Sequence, residues 1–307
     1  MYDMIIIGGG AAGLTAGIYG GRSGLKTLII EKMFAGGQAA TTYEVDNYPG
    51  FDETVTGPDL AMKMEAQAKK FGAEIITEDV IDINVDSKIK IVKTSRNTYL
   101  SKTLILALGA NPRELGLDKE RKFRGAGVSY CATCDGAFYR DRVAAVVGGG
   151  DTAVEDALFL SRFSPKVYLI HRRDQLRAAK VLRDVAFAND KIEFVWDSVV
   201  EAIEGEENVE GIKIKNVKTG VSKELKVDGM FVAVGVVPNS DLIKGKIETT
   251  DRGYIVTDAN MLTNKPGVYA AGDVRDKILR QVITAAADGA IAAFAAERYI
   301  TETDFNM

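Results

Sequence analysis

The sequence predicts an α/β chain of two Rossmann-like dinucleotide-binding domains, the second inserted into the first. Three observations carry this. Glycine-rich turns follow a short apolar run twice, as Gly8-x-Gly10-x-x-Gly13 and as Gly148-x-Gly150-x-x-Ala153. Two further apolar runs end alike in glycine and proline, Thr103 to Pro112 and Phe231 to Pro238, and read as crossings between domains. The length of 307 residues exceeds that of a usual single domain. The expected boundaries are 1–112 with 242–307 for the first domain and 113–241 for the inserted one.

Each element follows in order. Asp3 to Gly8 is a short β run, the turn Gly8, Gly10, Ala11, Ala12, Gly13 opens a helix to about Gly21, and Lys26 to Glu31 is a second strand ending in an acid. Glycines let the backbone turn tightly against a pyrophosphate, the helix N-terminus favours its charge, and a carboxylate accepts from ribose hydroxyls. Gly36-Gly37-Gln38 and Asn47-Tyr48-Pro49-Gly50 are punctuated loops, equally scaffold or site on sequence alone. An amphipathic helix, Pro58 to Phe71, and β runs at Glu74 to Asp82, Lys88 to Lys93 and Thr98 to Leu100 come before the Thr103 strand. Near the end, Gly267 to Asp273 is another strand reaching an acid, and Arg280-Gln281-Val282 opens an alanine-rich helix over Ile283 to Tyr299. Asp273 could equally be a cap or turn aspartate.

The second copy repeats this grammar: strand Arg142 to Val147, turn Gly148 to Ala153 with Asp151 and Thr152, a helix from Val154, and strand Val167 to Ile170. Glu31 and His171 each stand 23 residues after the first glycine of their turn. An acid there suits an unphosphorylated ribose and repels a 2′-phosphate. His171-Arg172-Arg173, with Arg177 close behind, offers clustered cations instead. The first site therefore wants FAD or NAD and the second NADPH. A solvated basic helix start, with His171 a neutral packing residue, is the bland alternative.

Just ahead of the second strand lies Cys131-Ala132-Thr133-Cys134-Asp135-Gly136, which holds both of the chain's 2 cysteines. One C-x-x-C pair among small and polar residues points to redox chemistry in a reducing compartment, not to a disulfide-stapled scaffold. Structural zinc needs about four ligands, and the single histidine is far along the chain. Asp135 is a candidate acid/base for the thiol proton, or an ordinary turn aspartate. Cys134 is the preferred sulfur for the flavin side and for first attack, although the spacing does not separate it from Cys131 in either role. Composition excludes other classes. Hydrophobic residues at 46% and charged residues at 27% describe a globular chain, and a net charge of −4 argues against nucleic acid and against a polybasic membrane surface. The uncharged stretch Met4 to Gly21 contains seven glycines, so neither a targeting segment nor a membrane span is expected.

Taken together, these motifs resemble bacterial-type, low-molecular-weight thioredoxin reductase, of the pyridine nucleotide-disulfide oxidoreductase type, from the first strand to the last helix. The resemblance implies a homodimeric cytoplasmic flavoprotein that reduces thioredoxin with NADPH through FAD and Cys131/Cys134. By correspondence, FAD contacts fall on the first turn, Glu31, Gly37, Gln38, Asn47, Gly272, Asp273, Arg280, Gln281 and Val282. NADPH contacts fall on Gly148, Gly150, Asp151, Thr152, Ala153, His171, Arg172, Arg173 and Arg177. Ala287 departs from a glycine frequent in relatives, with no loss expected. Competing readings are a flavin-dependent ferredoxin or flavodoxin NADP reductase, the flavoprotein component of alkyl hydroperoxide reductase, which usually adds an N-terminal redox domain, and a non-catalytic redox-sensing flavoprotein. Because the cysteines precede the Arg142 strand, they are expected at the sheet's amino end, roughly 20 Å from the dinucleotide end. That separation leads to the expectation that the inserted domain rotates between half-reactions.

Overall fold

The computed structural model describes residues 1–41 and 44–305, the Glu44 side chain excepted. In chain order the first part holds β1 (Tyr2–Ile7), α1 (Ala11–Arg22), β2 (Thr27–Glu31), the short pair β3 (Glu44–Val45) and β4 (Val55–Thr56), and α2 (Gly57–Lys70). β5 (Glu74–Thr77), β6 (Val80–Asn84), β7 (Lys90–Thr94) and β8 (Thr98–Leu106) follow, then the crossing strand β9 (Ala110–Pro112). The inserted part runs β10 (Val128–Ser129), α3 (Ala132–Asp135), β11 (Val143–Gly148), α4 (Asp151–Leu160), β12 (Lys166–Ile170), α5 (Lys180–Phe187) and β13 (Ile192–Val195). It closes with β14 (Ser198–Glu204), β15 (Gly211–Asn216), β16 (Ser222–Leu225) and β17 (Gly229–Ala233). The return crossing β18 (Val236–Pro238) pairs with β9, and β19 (Val268–Ala270) and α6 (Val282–Glu302) complete the chain.

Two compact units result, 1–111 with 237–307, and 112–236. The first is built on a seven-stranded sheet of order β5-β2-β1-β8-β7-β6, with β19 added beside the second half of β8. β1 shows why it reads as an unbroken apolar run. Met4 and Ile6 enter one buried cluster and Ile5 and Ile7 the other, so both faces of the strand are covered. α1 and α6 cover one face at very short range, since a Cβ on Gly289 would lie 2.1 Å from the Ala12 carbonyl oxygen.

In the second unit a five-stranded parallel sheet runs β10-β17-β11-β12-β13, with the antiparallel layer β14-β15-β16 beside it. Ala145 and Val147 of β11 pack to one side, Ala144 and Val146 to the other. β10 corrects one expectation. It is parallel to β17, and Ser129 stands level with Phe231 and, through it, with Val146. The cysteine segment therefore leaves the sheet at its carboxyl end, the same end as the Gly148 turn. The offset is sideways, by the one intervening strand β17, or about 10 Å. Axial separation thus gives no reason for a rotation.

α4 carries a cost. Asp156, half-buried in mid-helix, has no hydrogen-bond partner among the described residues, and desolvation, aided by neighbouring Glu155, pushes its pKa up to about 7. The folded state holds this proton more tightly than the unfolded chain, where aspartate titrates at 3.8. The group's contribution to stability therefore falls as pH rises from about 4 to 7. Asp156→Asn is expected to stabilise the protein by about 1–3 kcal/mol near pH 8 and to change little near pH 4. Urea denaturation at the two pH values checks this, and an equal effect at both would contradict it.

Candidate redox and dinucleotide sites

In the first unit the parallel strands end in line. Ile7 is level with Leu106 and, across β8, Ala270, while Ile30 of β2 pairs with Ile7. At that edge Gly8 has φ +104°, and a Cβ there would lie 2.2 Å from the Ala107 carbonyl oxygen. Gly13, one helical turn on, would place its Cβ 1.8 Å from the Gly8 carbonyl oxygen. Only glycine permits helix and strand to close this far. Gly10 caps α1 without a side-chain bond, and the first turn, beginning at Ala11 and Ala12, contains no acid. The helix N-terminus thus offers bare backbone donors, the arrangement an anionic pyrophosphate fits. Glu31 lies beneath the turn, its Oε2 accepting from the Gly9 amide at 2.7 Å and its Oε1 from Lys32 and Met33.

The other first-unit residues converge on the same edge. The Gly36 amide donates to the Gly9 carbonyl at 2.7 Å, and Gly37, with φ +56°, would bring a Cβ within 3.1 Å of Gly10 Cα. Gln38 donates to Asn111, which donates to Asn239, and Asn47 donates to Gln281 at 2.9 Å. Gln281 caps α6 through a reciprocal box with Thr284, placing Val282 as the first helical residue. Gly272, at φ +80°, abuts Ala12 of α1. Arg280 stacks 4.2 Å from the Tyr254 ring centroid and donates to the Asp273 and Arg275 carbonyls. Asp273 Oδ1 is buried with no partner among the described residues, and burial pushes this carboxyl up. An orphaned acceptor at the carboxyl edge, next to bare helix donors, fits a ligand carrying hydroxyl groups.

Beneath it lies a cluster the sequence does not announce. Buried Asp288 of α6 accepts from the Gly272 amide at 3.0 Å and pairs with Arg275 and Lys277 at 3.0 and 2.8 Å. Both cations come from the turn that follows Asp273.

The second unit repeats the first with one change. A Cβ on Gly148 would meet the Ala233 carbonyl oxygen at 2.5 Å and the Ala153 methyl at 2.6 Å. Gly150 caps α4 without a side-chain bond, and Asp151, beside exposed Thr152, turns its carboxylate to the Ala179 amide at 2.7 Å. Where Glu31 underlies Gly9, His171 underlies Gly149: a Cβ there would be 2.3 Å from the imidazole. The ring is buried, its Nε2 lacks a partner among the described residues, and desolvation, then Arg177, pushes its pKa down, so it is neutral near pH 7. Arg172, Arg173 and Arg177 are exposed and make no ion pair among the described residues. Lys218 engages the nearby acids Asp174 and Asp197. Three uncompensated guanidinium groups fit a phosphate dianion.

The cysteines form a closed Cys131–Cys134 disulfide. Cys131 caps α3, and the Thr133 hydroxyl lies 3.3 Å from its sulfur. The helix packs through Ala132 into the cluster around Ala153 and Ala157 of α4. Asp135, ending α3, accepts from the Ser129 hydroxyl at 2.5 Å. Tyr130, the residue after β10, donates to Glu120, a buried carboxylate that also takes the amides of Leu115, Gly116 and Leu117. Neither Ser129 nor Glu120 is flagged by a motif. Adjacency to the cysteines is the only sequence signal for Ser129, and Glu120 has none.

Comparison with known proteins agrees with this geometry. Residues 2–289 match the family model described as pyridine nucleotide-disulphide oxidoreductase. A protein named thioredoxin reductase from Peptoclostridium acidaminophilum is 50% identical over 98% of this chain and 97% of its own length. The crystal structure of thioredoxin reductase from Streptococcus pyogenes superposes with a TM-score of 0.95 at 48% identity, covering 99% of each chain. That of Lactococcus lactis, described as the FR conformation, gives 0.69 at 43% identity, covering 99% of this chain and all of the other. By its two glycine turns, its disulfide and these full-length matches, the chain belongs to the pyridine nucleotide-disulphide oxidoreductase family, and within it to the thioredoxin reductases.

Proposed function

We propose that this protein uses NADPH to reduce the disulfide of thioredoxin, with FAD as resident cofactor and Cys131/Cys134 as the exchanging pair. The observation that carries the reading is the closed disulfide on a helix docked against the same α4 that the second glycine turn opens. FAD would be held by Gly8, Gly10, Ala11, Ala12, Gly13 and Glu31, with Gly37, Gln38, Asn47, Gly272, Asp273, Arg280, Gln281 and Val282 around its other half. NADPH would rest on Gly148, Gly150, Asp151, Thr152 and Ala153, with Arg172, Arg173 and Arg177 on the 2′-phosphate and neutral His171 supporting the turn from below. Bound FAD supplies a group that accepts hydride and hands an electron pair to sulfur, which side chains do poorly. The chain's own part is thiol–disulfide exchange: a Cys thiolate, Cys134 by preference, attacks the partner disulfide, and Asp135 manages the thiol proton.

The inserted unit joins the rest through two crossings, and both carry glycines in the left-handed region. Gly109 has φ +67° and Gly235 φ +115°; a Cβ on Gly235 would meet nothing within 4 Å. Such freedom suits a hinge. We take rotation of the unit about these crossings as the means by which nicotinamide and disulfide use one flavin in turn.

A homodimer is the second part of the proposal. Ile283, Ala287, Ile291 and Phe294 are exposed along one stripe of α6. Spacings of four, four and three residues keep them on a single helical face, apolar surface that a second copy would cover. A cytoplasmic location accords with the cysteine usage, and no described helix is long and apolar enough to cross a membrane. Nucleic acid and membrane are not among the proposed partners.

Four outcomes test these readings. Anaerobic titration of the holoprotein with NADPH is expected to store one electron pair on the flavin and one on the dithiol, and added thioredoxin to withdraw them. The Cys131→Ser/Cys134→Ser variant should keep flavin bleaching and pass nothing on; a full rate on thioredoxin without those sulfurs would refute the function. Photochemical linkage of the two units, leaving the cysteines untouched, should stop turnover while one half-reaction survives. Unimpaired turnover in every linked form would exclude the rotation. Ile291→Glu with Phe294→Glu should convert a dimer to a monomer by light scattering. An unaltered dimeric mass, or a monomeric wild type, would count against the α6 interface.

A further inference from the structure

Ser129 occupies the end of β10 and is 5% exposed. Its hydroxyl has one proton to give. Asp135 Oδ2 lies 2.5 Å away and the Cys131 carbonyl 3.4 Å, so the carboxylate takes it. The Ser129 hydroxyl oxygen itself accepts from the Cys131 amide at 3.1 Å. A single buried atom therefore ties the backbone of the first cysteine to the carboxylate that follows the second. The Asp135 amide in turn donates to the Cys131 carbonyl at 3.1 Å, closing the loop around the pair.

The anchor cannot drift. Tyr130, the next residue, is fastened on its other side to Glu120, which is held by three backbone amides. The segment is thus held at two successive residues, at Tyr130 by the 115–120 loop and at Ser129 by Asp135. Tyr139 packs edge-on against Phe231 at 4.9 Å. Desolvation, then the Asp135 charge, pushes this phenol up to about 12, so it stays neutral near Asp135 and does not compete for the proton.

Resting on the function proposed above, we propose that Ser129 is a positioning residue: its hydroxyl fixes the Asp135 carboxylate in the one orientation from which it exchanges a proton with the Cys131–Cys134 dithiol. The chemistry balances as follows. One cysteine thiolate attacks the partner disulfide, forming a mixed disulfide and releasing a partner thiolate, which takes a proton from water. The second cysteine gives its proton to Asp135 and, as thiolate, attacks the mixed disulfide. The Cys131–Cys134 bond re-forms, the other partner sulfur leaves, and Asp135 returns the proton to it. The electron pair of the dithiol thus ends on the partner. General acid–base help depends on reach and alignment, and the 2.5 Å contact with Ser129 contributes to the alignment of this carboxylate.

Rapid-mixing measurements on the holoprotein separate this from a structural role. Ser129→Ala is expected to slow oxidation of the dithiol by thioredoxin about 10-fold, leaving flavin bleaching by NADPH and the KM for thioredoxin within about twofold. Ser129→Thr, which keeps the hydroxyl, should restore the rate. In an Asp135→Asn background, Ser129→Ala should cost clearly less than it does alone, because the part of its effect that runs through the carboxylate is already lost and only the contact with the Cys131 amide remains to be removed. Ser129→Val serves if the alanine variant does not fold. An unchanged thioredoxin step, an additive double variant, or equal slowing of both half-reactions would overturn the proposal. Failure of the wild-type protein to reduce thioredoxin would overturn the functional reading instead.

Discussion

Everything at the two dinucleotide edges depends on backbone approaching backbone where a side chain would forbid it. At Gly8 and Gly148 the missing Cβ would sit 2.2 and 2.5 Å from a carbonyl oxygen of the neighbouring strand. A real contact at that distance is impossible, so any substitution would push the strand end from the sheet or the helix from the strand. With the turn closed, α1 and α4 begin immediately, and neither N-terminus is capped by a side chain. Unspent amide donors and the helix dipole then face the carboxyl edge together. The fold creates an anion site by what it omits.

The two units keep this device and differ in what supports it. Under Gly9 stands a carboxylate that accepts the turn's own amide. Under Gly149 stands a buried imidazole, neutral because burial and Arg177 oppose its charge. The substitution removes a negative charge from the edge and leaves the adjacent guanidinium groups unopposed. At the second edge the arginines are the exposed cations, and His171 is packed beneath the turn. The equal spacing of Glu31 and His171 is matched in the fold, where each lies beneath its glycine turn, whereas the arginines next to His171 face solvent, a difference that no spacing shows.

Legibility followed the length and periodicity of each element. β1, β8, β11 and α6 are runs buried on a consistent face or on both, and their residue types announce them. Glycine turns were legible because close approach leaves no other residue possible. β10 was invisible: two residues carry no period, and its direction decides on which edge the disulfide emerges. The antiparallel layer β14–β16 and α5 were missed as elements for a related reason, since they lie between the motifs and their alternation is broken by charged, exposed positions. Side-chain clusters were the least legible. Asp288 reaches Arg275 and Lys277 only because α6 lies against the Gly272 turn, and Glu120 finds Tyr130 only because a loop folds back on β10. Such partners are properties of packing and have no spacing to read.

The second unit also resolves how a redox helix can be both rigid and reachable. After β10 the chain must return to the amino end of the sheet to begin β11, and it does so through α3 and the 3₁₀ turn Gly136–Tyr139. Those residues are wedged: a Cβ on Gly136 would stand 3.0 Å from the Phe159 ring, and Ala132 is fully buried. The cysteines themselves remain half-buried at the top of that segment. At the two crossings, by contrast, Gly109 and Gly235 adopt left-handed φ, and a Cβ on Gly235 would meet nothing within 4 Å. Stiffness thus sits directly under the reacting sulfurs, where the geometry of exchange needs it.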